Sequence, residues 1–380
     1  MENTNSFKII YQETNPYGAL TAFLEDDGRT VYLYLQSEQN PEWKIRALWI
    51  RNRIPAPNKR EESDFSNGLA PILLSSEVTD DSDISEIKAE DVHFIWTEEG
   101  DGIAVFIKEE LHAFMPSWYG IKGVSGYSKF AKVETITAYP LGDSSHGVIV
   151  DTVERSRNFW EFRSNKDSWK QIQSSRLSFL ESKFGSHTKY WSADGGKFPY
   201  VGIAKFESPE YPQVVIYSTV GLSGQNMPTV ELFHKDYTKF SRIELIIAVR
   251  VLPGDKSESW VPHFLGELVK FPWNMNKWLG AGHTISMNRR DPDALHLNFT
   301  SAILLKDLSP VRTSDIEVAK TPDMTGLTSE SNQPINFLFI QPINDEEAYF
   351  MRAEGSKALM NLIAEKGIGW VHNSEREGLL

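Results

Sequence analysis

The sequence predicts a mixed α/β (α+β) protein in two lobes, a β-rich lobe over residues 1–145 and a second lobe over residues 150–380 in which strands alternate with amphipathic helices. Three observations carry this expectation. Short runs of alternating apolar residues, punctuated by Gly and Asp turns, fill the first 140 residues. From about residue 150 the apolar positions recur at helical spacing. Residues 243–251, IELIIAVRV, are almost continuously apolar, as a strand covered on both faces would be.

In chain order, a strand is expected at residues 7–12. Residues 19–25 and 30–36 flank the turn Asp26-Asp27-Gly28-Arg29 as a hairpin, and residues 45–50 continue that sheet. Residues 55–67 and the acidic stretch 77–91 read as solvated loops. A second hairpin is expected from residues 92–96 and 103–107 around Glu98-Glu99-Gly100-Asp101-Gly102. Its carboxylates lack the ligand ladder of a calcium loop and are read as a solvated turn. A helix capped by Asp151 then runs toward Phe162. Residues 166–184 follow as a helix whose Trp169, Ile172, Leu177, Leu180 and Phe184 share one face, with Gly185 as its stop. Strands are expected at 201–206, 213–220, 243–251, 301–305 and 336–341, with an amphipathic helix at 259–270. Asn344 followed by Glu347 opens a last helical segment with a capping box, divided at Gly355 and ending near Gly367.

Composition limits the function classes. Of the 380 residues, 40% are hydrophobic and 12% aromatic, enough for a substantial core. Nothing approaches the ~20 apolar residues of a membrane span. The start, MENTNSFKIIYQETNPYG, has neither the basic cluster nor the apolar segment of a secretory signal, so a cytoplasmic protein is expected. Cysteine is absent, which removes disulfides, thiolate nucleophiles and thiolate metal sites, and no cofactor or metal is expected. The net charge of −13 opposes binding to nucleic acid or to an anionic membrane and suits a basic protein partner as well as plain solubility.

Motifs for chemistry are sparse. Gly221-Leu222-Ser223-Gly224 and Gly123-Val124-Ser125-Gly126 resemble a hydrolase nucleophile elbow, but Gln225 and Tyr127 stand where its last glycine belongs. The run Gly280-Ala281-Gly282-His283-Thr284-Ile285 is neither a dinucleotide fingerprint nor a phosphate loop. No catalytic residue is assigned. An alternative stays open in which Ser223 and His234 or His283 assemble in space with a distant acid as a hydrolase. Trp43 with Trp49, and Trp273 with Trp278, are read as core packing rather than base-stacking platforms.

Three ordered segments carry a resemblance: Tyr217-Ser218-Thr219-Val220-Gly221-Leu222-Ser223, then Arg242-Ile243-Glu244-Leu245-Ile246-Ile247, then Trp278-Leu279-Gly280-Ala281-Gly282-His283-Thr284. With Ile335-Asn336-Phe337-Leu338-Phe339-Ile340-Gln341-Pro342-Ile343 they resemble the suppressor-of-fused domain family. Upstream, Val124-Ser125-Gly126-Tyr127-Ser128-Lys129, Ala138-Tyr139-Pro140-Leu141-Gly142 and Phe159-Trp160 look like the N-terminal extension of its bacterial branch. The resemblance implies a mixed sheet with flanking helices and a non-enzymatic protein-binding module. Animal members sequester a zinc-finger transcription factor, and bacterial members are associated with polymorphic toxin loci as immunity proteins. This sequence lacks the animal C-terminal domain and linker, so a toxin, and a basic one, is the partner expected, with a regulatory adaptor as the other binding role. The loop after residue 220 is the candidate contact: Gly221, Leu222, Ser223, Met227, Glu231 and, on the neighbouring strand, Glu244. Trp273, Trp278, Gly280, Gly282 and His283 are read as a structural turn, the glycines giving a tight path, the tryptophans anchoring it and the histidine satisfying backbone groups.

Overall fold

The computed structural model describes residues 7–142, 146–193, 195–251, 258–287, 298–306 and 322–380. Its contacts divide into two compact units, one of residues 1–165 with 273–276, the other of residues 166–272 with 277–380.

The first unit is built on two sheets. One is an antiparallel meander of β1 (Lys8–Thr14), β2 (Thr21–Asp26), β3 (Thr30–Gln36) and β4 (Arg46–Asn52). At the β2–β3 hairpin Asp27 accepts from the amides of Arg29 and Thr30 at 2.8 and 2.7 Å, the carboxylate-to-backbone pattern that the Asp-Asp-Gly sequence offers. Beyond the short α1 (Glu62–Ser66), the second sheet orders β5 (Val92–Trp96), β6 (Ile103–Ile107), β7 (Glu110–Met115), β8 (Tyr127–Ser128) and β9 (Tyr139–Pro140). Helix α2 (Val148–Ser164) also belongs to this unit: Val153 joins the core of Phe106, Phe114 and Leu141, and the Trp160 indole donates to the Trp96 carbonyl at 2.8 Å. The helix placed at the head of the second lobe thus groups with the first. Gly147, not Asp151, occupies its N-cap; Asp151 lies in the first turn, where its charge still favours the helix end.

The second unit centres on an eight-stranded mixed sheet in the order β10-β11-β12-β13-β16-β15-β14, with β17 also on β13. The strands are β10 (His187–Ser192), β11 (Gly202–Phe206), β12 (Val214–Val220), β13 (Ile243–Arg250), β14 (Thr284–Ser286), β15 (Ser301–Leu305), β16 (Asn336–Ile343) and β17 (Val371–His372). Seven of the eight residues of β13 are buried, as its apolar run requires, and its first half pairs with β16 and its second half with β17, both parallel. The helices are α3 (Ser168–Phe184), the four-residue α4 (Val230–Phe233), α5 (Val261–Leu268), α7 (Asp345–Glu354) and α8 (Ser356–Glu365), while the last three residues of α6 (Phe271–Met275) group with the first unit. Leu180 and Phe184 of α3, Ala348 of α7 and Leu359 and Ile363 of α8 cover one sheet face, against Ile216, Ile246, Ile303 and Phe339. The capping box at Asn344 and Glu347 and the break at Gly355 stand where the sequence placed them.

Candidate functional site

The segment after β12 turns sharply at Gly221, whose φ of +95° is left-handed; a Cβ there would lie 2.5 Å from the Trp169 ring, so both backbone and space call for glycine. That turn aims backbone amides at one carboxylate. Glu244 Oε1 accepts from the amides of Gly221 (2.9 Å) and Ser223 (3.1 Å) and from the Ser223 hydroxyl (2.7 Å). Oε2 accepts from the Thr219 hydroxyl at 2.6 Å, and Thr219 Oγ1 in turn accepts the Leu245 amide at 2.8 Å. Glu244 and Ser223 are fully buried. Burial holds the Glu244 carboxyl above its ordinary 4.5, against the opposing pull of the Thr219 and Ser223 bonds and of Arg176.

Two guanidiniums border this turn, and Arg176 acts on the Glu244 charge. Arg176 sits on the buried stripe Ile172, Arg176, Leu180, Phe184 of α3, donates through Nε to Ser223 Oγ at 3.2 Å, and clasps both carboxylate oxygens of Glu330. Arg242 donates to the Ser223 carbonyl at 3.1 Å and to Gln333 Oε1 at 2.7 Å. Buried Gln225 closes the turn with a 2.8 Å bond to the Leu222 carbonyl. The result is a buried polar hub in which every bond to Ser223 fixes the turn.

Burial corrects the contact-loop expectation. Gly221, Leu222, Ser223, Met227 and Glu244 are all buried and offer a partner no surface; Met227 even receives the Leu279 amide on its sulfur at 3.4 Å. Glu231, in the first turn of α4, keeps partial exposure. Arg176, Arg242, Thr219 and Glu330 were missed. Arg176 was legible, because residues 172, 176, 180 and 184 are spaced by four along one helix face.

The Gly280–His283 segment is a second, separate cluster. A Cβ on Gly280 would meet the Trp278 ring at 2.2 Å, and the Gly282 amide donates to the Leu304 carbonyl at 2.8 Å. His283 Nδ1 lies 3.2 Å from the Trp278 carbonyl and its ring stands edge-on to Trp278, while burial lowers its pKa below 6.5. His234 stacks on Phe240 and meets Trp278 edge-on. Trp273 departs from the expected anchor role: it groups with the first unit, where its ring stacks on Tyr17 at 4.9 Å. Ser223 is thus committed to Glu244 and Arg176, and the two imidazoles to aromatic neighbours, so the residues named for a hydrolase do not form its hydrogen-bonded chain. Among the described residues no group of three or more His, Asp or Glu is set to hold a metal, and no helix is long and apolar enough to cross a membrane.

Residues 199–377 match the family model described as Suppressor of fused protein (SUFU). This stretch is similar to a suppressor-of-fused domain. Solved structures similar to the chain include a SUFU homolog from Neisseria gonorrhoeae, with 15% identity, 56% of this chain and 98% of that chain covered, and a TM-score of 0.37. The Sufu-Fu complex is similar at 12% identity, 55% and 92% coverage and a TM-score of 0.40. Suppressor of Fused from Drosophila is similar at 13% identity, 47% and 42% coverage and a TM-score of 0.32. No curated protein matches the chain. The hub draws Ser223, Arg242, Glu244 and Glu330 from the matched stretch, and Arg176 from the helix that precedes it.

Proposed function

We propose that the chain is a non-enzymatic protein-binding module, and more specifically a cytoplasmic immunity protein of bacterial type that neutralises a toxin by direct binding. The observation that carries the first part is the state of Ser223: its hydroxyl donates to a buried carboxylate and receives a buried guanidinium, a locked turn rather than an activated nucleophile. The suppressor-of-fused match supports a binding role. The net charge of −13 supports a basic toxin domain as the partner, because complementary charge speeds encounter.

The test is genetic and then physical. Deleting the gene in a host that encodes a neighbouring toxin should arrest growth, and the purified protein should bind that toxin in a calorimetric titration. Normal growth of the deletion strain, with the toxin shown to be expressed and active, would remove the immunity role. Recovery of a regulator and no toxin in a pull-down from the native host would favour an adaptor.

A further inference from the structure

A cavity of about 490 Å³ lies beside the end of β15 and the start of β16, a volume within the range of small-molecule sites. Its floor is apolar. Met324, Ile335, Phe337 and Phe339 line it, and all four belong to the core cluster of the second unit. The lining also carries a cation, Lys306, whose place is fixed by its neighbour. Asn336 donates through Nδ2 to the Lys239 and Arg242 carbonyls at 2.8 and 3.4 Å, which turns its Oδ1 toward the Lys306 ammonium at 2.7 Å. An ammonium has three donors, and Asn336 takes one of them. Among the described residues no carboxylate pairs with Lys306. Asp323, also in the lining, spends Oδ1 on the amide and the hydroxyl of Thr325, at 3.0 and 2.7 Å.

An apolar floor with a positioned cation at its rim selects an amphipathic anion. The tail leaves water, and the head gains a charge-assisted hydrogen bond while it stays partly hydrated. A single ammonium matches one negative charge, which favours a carboxylate over a phosphate dianion. We propose that this cavity is a binding site for a medium-chain fatty acid, with its tail over Met324, Ile335, Phe337 and Phe339 and its carboxylate on Lys306. The site assumes nothing about a protein partner, so its failure and that of the binding-module reading are separable.

Calorimetric titration of the full chain with hexanoate, octanoate and decanoate, each below its micelle concentration, tests head and tail separately. Each pair of added methylenes should tighten binding on the order of tenfold, as burial of the tail requires. Lys306→Met should weaken octanoate at least about fivefold and leave octanol unchanged, while Lys306→Arg keeps octanoate binding. Lys306 is exposed, so neither variant disturbs the core. No saturable binding of decanoate overturns the site. Affinity that stops rising after hexanoate overturns the fatty-acid assignment, because only a side chain's length of tail is then buried. Equal octanoate affinity in the wild type and Lys306→Met removes the head-group contact, and the proposal fails with it.

Discussion

Ser223 and Glu244, 21 residues apart in sequence, are joined by two hydrogen bonds, from the serine hydroxyl at 2.7 Å and from its amide at 3.1 Å, to the same carboxylate oxygen. Removing the carboxylate strands those donors, the Gly221 amide and the Thr219 hydroxyl, and leaves Arg176 with less compensation. Glu244→Ala should therefore cost about 3–5 kcal/mol and Ser223→Ala about 1–3 kcal/mol in urea unfolding. The double variant should fall short of the sum, with a coupling energy above about 0.5 kcal/mol. Additive losses would mean that the pair is not coupled through the turn.

The strands that sequence reading found are those whose patterning carries a period or an unbroken apolar run, such as β3 and β13. It missed β7, where Leu111 to Met115 are all buried and alternation vanishes, and β10, an edge strand whose HTKYWS has no buried position. For the site, the turn at Gly221 was visible as glycine and serine, but the direction of its groups was not. A glutamate inside an apolar strand reads as a surface residue or a contact; only the fold reveals that Gly221, Ser223 and Thr219 converge on it. Glu330 lies 154 residues from its Arg176 partner, a separation that no local pattern spans.

Met227 is 1% exposed, which reverses what its replacement is expected to do. Met227→Ala should lower stability by about 2–4 kcal/mol, the loss of a buried thioether with a cavity left behind. Glu231→Ala, at a half-buried position in the first turn of α4, should change stability by less than about 1 kcal/mol. Thermal unfolding of the two variants checks this, and a neutral Met227→Ala would contradict the buried placement. A titration with a partner is interpretable only for Glu231, because the methionine change acts through folding.

Glu347 joins the start of α7 to the C-terminal segment. It accepts the Asn344 amide at 3.0 Å, both terminal nitrogens of Arg376 at 2.6 and 2.7 Å, and the Leu379 amide at 3.0 Å. Burial pushes its carboxyl upward, but the Arg376 and Asn344 bonds outweigh that and hold it below the ordinary 4.5. A depressed carboxylate contributes stability that is present above the unfolded value and lost as pH falls through the folded one. Arg376→Met should therefore cost about 3–5 kcal/mol near neutral pH, with the gap to the wild type shrinking as pH drops below about 4.5. Denaturant midpoints of both proteins across that window provide the check, and a gap independent of pH would show that Glu347 gains nothing from Arg376.

His372 tests the interior from the opposite sign of charge. It is the last residue of β17, 0% exposed, edge-on to Phe299 at 4.7 Å, with neither ring nitrogen hydrogen-bonded among the described residues. Burial, and after it the nearby Arg376 charge, pull its pKa from 6.5 down to about 3. Between those two values the unfolded chain takes up a proton that the folded chain refuses, so unfolding is favoured progressively as pH falls from 6.5 toward 3. His372→Leu, of similar volume and without a titrating group, removes this term. The stability of the wild type should fall relative to the Leu variant as pH is lowered through that window, and the difference should be flat above it. Parallel unfolding curves measured at several pH values on either side of 6.5 decide the matter: a difference that does not change below 6.5 would mean that the imidazole charges inside the fold, which its apolar surroundings could not tolerate without a partner.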